Sequence, residues 1–263
     1  TTARPCGDHY LLNGTKLFVT NGSRAGVVIV FASTNLTHGR KGITVFLVQP
    51  SFDGFRVGRR EDKMGLRASD TVELVLEDCR VPTENRIGED GQGFQIAMAA
   101  LASGRAGIAA QAVGIAQACL EASIRYAKER HQFGRPIGRF QAVQWKLANM
   151  ATEIEAARLL ALRAAALKDR DLPFAAESSK AKLFASEMAG RVALESVQIH
   201  GGYGYIQDFP VERHLRDARI LTLYEGTSEV HRLIISRHLL GKEFETDASA
   251  EGSRQWNQTI LTS

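Results

Sequence analysis

In LYEGTSE, residues 223–229, Glu225 stands between an aromatic residue and a glycine. Thr227 is a good helix N-cap. Ser228 and Glu229 suit the first turn that it opens, where negative charge meets the positive end of the helix dipole. Glu225 lies two residues before the cap, beside flexible Gly226, so the helix start does not account for it. A carboxylate presented from a loop beside a helix start is well placed for proton abstraction. The same spacing also fits a plain surface glutamate.

A second stretch, RHQFGRPIGRFQ at 130–141, gathers Arg130, Arg135 and Arg139 with Gln132, Gln141, Phe133 and Phe140 on a loop between helices. Guanidinium groups match phosphate geometry, and an aromatic ring can flank a flat heterocycle. The alternative is a solvated loop whose arginines cap helix ends. GGYGY at 201–205 follows a long helical pattern, so Gly201 reads as the glycine that ends it. Gly202 is left over, at a place where a ligand or another chain could approach the backbone closely. GEDGQG at 88–93 reads as a loop into a helix. Neither glycine run has the GxGxxG order after a strand, and no GxxxxGK[ST] occurs, which excludes Rossmann and P-loop readings. His9, His131, His200, His214 and His231 have no partner at ligand spacing and read as hydrogen-bonded or surface histidines. Asp217 and Arg219 read as part of a local ion-pair mesh. No metal site is expected.

Composition narrows the class. The 263 residues are 44% apolar and 24% charged, a soluble globular profile with room for one large or two modest domains. The net charge of +4, from 33 basic and 29 acidic residues without a Lys/Arg block, argues against nucleic acid. No run is expected to reach the length of a membrane span. Cys6, Cys79 and Cys119 are far apart, which suits free thiols in a reducing compartment and argues against structural zinc. The opening TTARPCGDHY reads as mid-protein.

Two periods divide the chain. From 10 to 80 the pattern is strand-like. Asn13-Gly14 reads as a hairpin turn in YLLNGTKLFVT. VVIVFA (27–32) reads as a strand buried on both faces. ITVFLVQ (43–49) and FRVG (55–58) follow, and in TVELVLE (71–77) Val72, Leu74 and Leu76 face one way. No helical segment is long enough for a crossover, so the expected sheet is an antiparallel barrel or sandwich. After Val81-Pro82 the period becomes helical: Gly93 to about Lys128, with Ile108, Ala112, Ile115 and Cys119 on one stripe; about Gln141–Lys168, with Leu147, Met150, Ile154, Ala157 and Ala161; about Ala175–Ile199; and a short helix after Thr227. The expected fold is α+β, an antiparallel β-domain at 1–88 followed by an antiparallel four-helix bundle at 89–242. The polar segment 243–263 is expected to fray.

Taken together, six stretches resemble the acyl-CoA dehydrogenase family, and its short-chain, butyryl-type members most. They are LNGTKLFVTNG, GRREDKMGLRASDT, GEDGQGFQIAM, RHQFGRPIGRFQ, QIHGGYGYIQDFPVERHLRDARI and LYEGTSEV, in the family's order across residues 8–241. The resemblance implies an enzyme of fatty acid β-oxidation that uses FAD to convert a short, straight-chain acyl-CoA into a trans-2-enoyl-CoA. Electrons would pass to electron-transferring flavoprotein. It makes Glu225 the catalytic base. Flavin contacts fall on Phe18, Val19 and Thr20; on Arg130, Gln132, Phe133 and Gln141; on Gln198, Ile199, His200, Gly201 and Gly202; and on Thr227, Ser228 and Glu229. Acyl-CoA contacts fall on Ala102, Ser103, Gly104, Arg105 and Gly226. It also implies a homotetramer, a dimer of dimers in which Arg130, Gln141 and 198–202 reach a neighbour's FAD, in the cytoplasm or, in a eukaryote, the mitochondrial matrix.

Some relatives carry the base on the long helix, at the position of Gly104; a glutamate at 225 and none at 104 sides with the straight-chain arrangement. The sequence departs from the family in three ways. Phe18 stands where tryptophan is usual, Ala102 where aspartate is common, and the family's all-helical N-terminal domain is missing from this sequence. Two other readings stay open, a flavin oxidase of the same fold and a non-catalytic oligomerisation module.

Overall fold

The computed structural model describes residues 1–241, which divide into two compact units at Ala99/Ala100. The segment expected to fray, 243–263, lies outside the described residues. The division falls inside the first helix, where the sequence pattern set it near residue 88. The glycines of GEDGQG explain the offset. A side chain on Gly91 would meet the Lys41 carbonyl oxygen at 2.3 Å, and one on Gly93 the Ile43 carbonyl oxygen at 2.7 Å. The loop and the first turn of the helix therefore pack with the strands. The guanidinium of Arg40 stands 4.9 Å over the Phe94 ring.

The first unit is a seven-stranded sheet: β1 (Thr2–Cys6), β2 (His9–Thr20), β3 (Val28–Ser33), β4 (Ile43–Val48), β5 (Phe55–Arg60), β6 (Thr71–Pro82) and β7 (Arg86–Ile87). Their order is β5-β6-β2-β1-β3-β4-β7. Every pairing is antiparallel except β1 with β3, which is parallel through Thr2 and Ser33, so the sheet is mixed. On β6, Val72, Leu74 and Leu76 are buried as their alternation predicts, and Leu76 joins a core with Leu12, Val30, Phe46 and Val81.

Two expectations are corrected here. Asn13-Gly14 makes no turn, and β2 runs through it for 12 residues. The pair faces a bulge in β6, where Asp78 has φ 47°. Asn13 brackets that residue, its Oδ1 accepting from the Asp78 N–H and its Nδ2 donating to Oδ1, both at 2.9 Å. Gly14 makes room for the chain start, since a Cβ there would meet Thr1 Cα at 2.8 Å. Nor is β3 buried on both faces. Val30 and Ala32 are inside, but Ile29 is 57% exposed, so a continuously apolar run conceals a one-sided strand.

The second unit holds α1 (Gly93–Glu129) from Ala100 onward, a small hairpin of β8 (His131–Gln132) and β9 (Arg135–Pro136), α2 (Gln141–Asp169), α3 (Ala175–His200), α4 (Val211–Arg219) and α5 (Ser228–Leu240). The three long helices match the expected spans. Small side chains let them approach closely around Ala109, Ala112, Ala116, Ala157, Ala185 and Ala189, with Met150 and Met188 filling the core between them. The nine-residue α4 was hidden by its charges, because only Val211, Leu215 and Ala218 in VERHLRDAR keep an apolar i, i+4, i+7 stripe. Arg216 of α4 pairs with Glu212 at 2.8 Å, one turn away.

By length and composition α1 could cross a membrane, against the expectation that no run is long enough. Alanine raises its apolar count, while its stripe from Ala109 to Cys119 is sealed inside the helical core. One such helix is weak evidence for a membrane, since core helices of soluble proteins pass the same test. All three cysteines are free, with Cys79 and Cys119 buried.

Candidate active site

The loop before α5 is shaped by its two ends. On one side, the Tyr224 N–H donates to the Ile220 carbonyl at 3.2 Å. On the other, Thr227 caps α5 as expected, its hydroxyl accepting from the Val230 N–H at 3.4 Å. Between them Glu225 has φ 54° and Gly226 φ 96°. Glycine adopts such a backbone freely; for a glutamate it costs roughly 1 kcal/mol, so the surroundings must impose it.

Those surroundings lie on three helices. From α1 comes Gly104, on which a Cβ would meet Glu225 Oε2 at 2.7 Å and Cδ at 3.3 Å. The carboxylate therefore rests where any other residue at 104 would place its side chain. Next on α1 is Arg105, which is buried, and burial lowers its guanidinium pKa while the Glu225 charge opposes the change. From α3 comes Lys182, fully buried, whose Nζ donates to the Gly226 carbonyl at 2.6 Å. Burial pushes Lys182 down to about 8, with Glu225 opposing and Arg105 adding. From α5 comes His231, also fully buried, with one edge of its ring close under Gly226: a Cβ there would meet Cε1 and Nε2 at 3.3 Å. Burial, helped by the charges of Lys182 and Arg105, lowers His231 to about 4, so the ring is neutral at ordinary pH. Tyr224 closes the loop by donating its hydroxyl proton to Gln111 Oε1 at 2.5 Å.

Several polar atoms here are buried and without a hydrogen bond among the described residues: Glu225 Oε2, Arg105 Nε, Ser228 Oγ and both nitrogens of His231. Among the described residues, no backbone hydrogen bond engages the Glu225 N–H. The result is a carboxylate with an uncommitted lone pair beside an uncommitted backbone donor, flanked by two cations. Such a group can take a proton while the donor steadies negative charge forming nearby.

A separate cavity of about 470 Å³ in the same unit gathers another set of expected residues: Arg130, Gln132, Ile199, His200, Gly201 and Gly202, with Tyr126 and Tyr203. Glu225 is not among its lining residues. Gly201 ends α3 at φ 60°, and a Cβ on Gly202 would meet nothing within 4 Å, so the backbone there is open to a visitor. His200 Nδ1 pairs with the Ser196 carbonyl at 2.8 Å, and its ring stacks on Tyr126 at 4.3 Å. Arg130 stands 5.5 Å over Tyr203. Phe133 and Gly134, both at positive φ, form the two-residue turn of the β8–β9 hairpin and leave Phe133 91% exposed. Gln141 and Gln198 are exposed at the start of α2 and the end of α3.

The remaining expected residues are placed as follows. Phe18, Val19 and Thr20 belong to the β-unit, where a register shift between Lys16 and Val19 puts Phe18 at φ 57° and 73% exposure. Ala102 is buried in α1 and Ser103 is half-buried. Glu229 is exposed in the first turn of α5, held below the usual carboxylate range by its own backbone N–H and by Thr227.

Sequence reasoning missed Lys182 and misjudged His231, expected to be hydrogen-bonded or on the surface. Lys182 had left a signal: it shares the i, i+3, i+7 stripe with Ala185 and Ala189, an apolar face where a lysine is out of place. His231 left none.

Residues 91–240 match the model of the acyl-CoA dehydrogenase C-terminal domain and residues 1–79 that of the middle domain. The chain is 53% identical over 240 residues to the mitochondrial short-chain specific acyl-CoA dehydrogenase of Rattus norvegicus, covering 91% of this chain and 58% of the rat protein. The butyryl-CoA dehydrogenase structure from Megasphaera elsdenii superposes with a TM-score of 0.91 at 49% identity, covering 92% of this chain and 63% of that one. A chain from a study of the electron transferring flavoprotein of Acidaminococcus fermentans superposes at 0.90 with 51% identity, covering 91% of this chain and 63% of that one. The chain thus spans about three fifths of the length of these relatives.

Proposed function

We propose that this chain, which belongs to the acyl-CoA dehydrogenase family, carries the base and part of the cofactor site of an enzyme that dehydrogenates short, straight-chain acyl-CoA thioesters to trans-2-enoyl-CoA. One observation carries the reading: the Glu225 carboxylate, with a free buried oxygen, lies over Gly104 beside an uncommitted backbone N–H.

The proton beside a thioester carbonyl is weakly acidic, so two tasks fall on the protein. Glu225 takes that proton. The Glu225 N–H, free of any helix, donates to the carbonyl oxygen as negative charge gathers on it. Arg105 and Lys182 are the buried cations beside the carboxylate. Gly104 leaves the space in which that carboxylate sits.

FAD, which the family generally uses, supplies the acceptor for the hydride leaving the β-carbon. The residues present fit it. Within the helical unit, Arg130 can meet a phosphate, the open backbone of Gly201 and Gly202 admits close approach, and exposed Phe133 offers a ring to a flat heterocycle. The 470 Å³ cavity shares no residue with the Glu225 cluster, which supports its serving a cofactor reached from a second copy. Exposed Trp145, Leu159, Leu162 and Leu194 on α2 and α3 support assembly, read here as a tetramer. The Acidaminococcus relative supports electron-transferring flavoprotein as the electron acceptor. The compartment is the bacterial cytoplasm, or the matrix for a mitochondrial protein like the rat relative.

The test is a visible spectrum of the chain with FAD, before and after butyryl-CoA. Binding gives the bands of oxidised flavin, and butyryl-CoA bleaches them. Glu225→Gln keeps the bands and loses turnover by about 10²–10⁴-fold. Near-normal bleaching in that variant would refute the assignment of the base.

A further inference from the structure

We propose that Lys182 is the positioning residue of the catalytic loop: its buried ammonium group, hydrogen-bonded to the Gly226 carbonyl, fixes the turn that presents Glu225. The inference rests on the reading of Glu225 as the base.

The loop cannot hold its own shape. Glu225 and Gly226 both sit at positive φ, and the flanking backbone bonds stop at Tyr224 on one side and resume at Thr227 on the other. Between them the hydrogen bond from Lys182 Nζ is the anchor, at 2.6 Å, from a helix whose own face is locked into the core by Ala181, Ala185 and Ala189. His231 lies under the same glycine and limits how it can move.

A lysine is a costly choice for that position. An apolar side chain would pack there without the expense of stripping water from an ammonium group. Its three donors and its charge are what an apolar residue could not replace. The charged and titratable groups facing Glu225 are few: Arg105 from α1, Lys182 from α3, the neutral ring of His231 and exposed Glu229 from α5, and the adjacent Tyr224 hydroxyl. Of the two cations, Lys182 is the one that grips the loop backbone, through the Gly226 carbonyl.

Lys182→Met keeps the length of the side chain and removes both donor and charge. In the FAD-loaded chain with butyryl-CoA, kcat falls about 10- to 100-fold while KM stays within about twofold, because the base is displaced and the thioester is not. A purely structural lysine would lower the amount of folded enzyme without lowering kcat per folded enzyme. Without cofactor, amide exchange at residues 224–228 rises at least about tenfold in the variant, with α1 to α3 unchanged. In the reverse direction, Glu225→Gln shifts the titration of the Lys182 amine, followed by ¹⁵N NMR, to lower pH, because the anion that favours its charged form is gone.

A Lys182→Met protein with wild-type kcat and loop exchange overturns the proposal. So does a Lys182 titration indifferent to Glu225→Gln, which decides the matter if Lys182→Met does not fold. An inert wild type would instead sink the proposed function, and the exchange and NMR measurements would still judge Lys182.

Discussion

Gly104 and Glu225 depend on each other across 121 positions of sequence, and the dependence is steric. A methyl group at 104 would stand 2.7 Å from Oε2, and the atom it meets is the far end of a flexible side chain. The carboxylate would swing aside and the fold would survive. In mid-helix the change from glycine to alanine is itself favourable, by about 1 kcal/mol. Gly104→Ala should therefore raise or preserve the melting temperature while lowering butyryl-CoA turnover, by about 10- to 100-fold for a displacement near 1 Å. A variant that melts higher and turns over normally would show that Glu225 does not work from above residue 104. Glu225 was legible in the sequence because it failed to fit the helix start beside it. The residues that hold it were less so. Lys182 is one of two lysines in ESSKAKLF, set apart only by the apolar stripe it shares with Ala185 and Ala189. His231 reads as a lone histidine anywhere, because nothing local distinguishes a ring sealed beneath a glycine from one in water.

The elements were legible where a single period ran long enough to dominate. Alanine-rich stripes on α1, α2 and α3 set their spans within a residue or two, and β6 announced its buried face by alternation. Short-range chemistry misled where a distant strand made use of it. Asn13-Gly14 has the composition of a hairpin turn, yet β2 passes straight through, because Asn13 serves a residue 65 positions away. Bracketing Asp78 at φ 47° satisfies an N–H that the bulge removes from the ladder. Asn13→Ala frees that N–H and the side chain of Asp78 to water, since the site is exposed. The expected loss is about 1 kcal/mol, read as a lower urea midpoint with unchanged slope. Had Asn13-Gly14 been a turn, alanine would instead disturb the β2–β6 register, and the slope would change with it. The bulge at Phe18 follows the same rule. An extra residue turns one ring outward at the edge of the expected flavin strand, and no local sequence period records the insertion.

Across the whole molecule the titratable burden is uneven. His200, His214 and His231 are all lowered by burial, and all three lie in the helical unit. In the β-unit the lowered carboxylates of Asp8 and Asp70 release their contribution only below 3.8. Acid should therefore reach the helical unit first. For His231 the sign follows from proton counting. The unfolded chain takes up the imidazole proton below about 6.5, whereas the folded chain resists until about 4. Between those values the unfolded state holds more protons, so stability falls as pH falls, and the loss is complete below 4. The loss from this one ring is at most about 3 kcal/mol, with Lys182 and Arg105 repelling the new charge. His231→Leu keeps an apolar side chain in the buried position and removes the titration. Urea midpoints measured at pH 7 and at pH 4.5 should differ less in His231→Leu than in the wild type. Exchange at the lower pH should quicken first at the amides of α3 and α5, which hold the Glu225 loop between them. Equal pH dependence in the two proteins would mean that the ring is protonated in the folded state, and that the dry cluster around the base is wet.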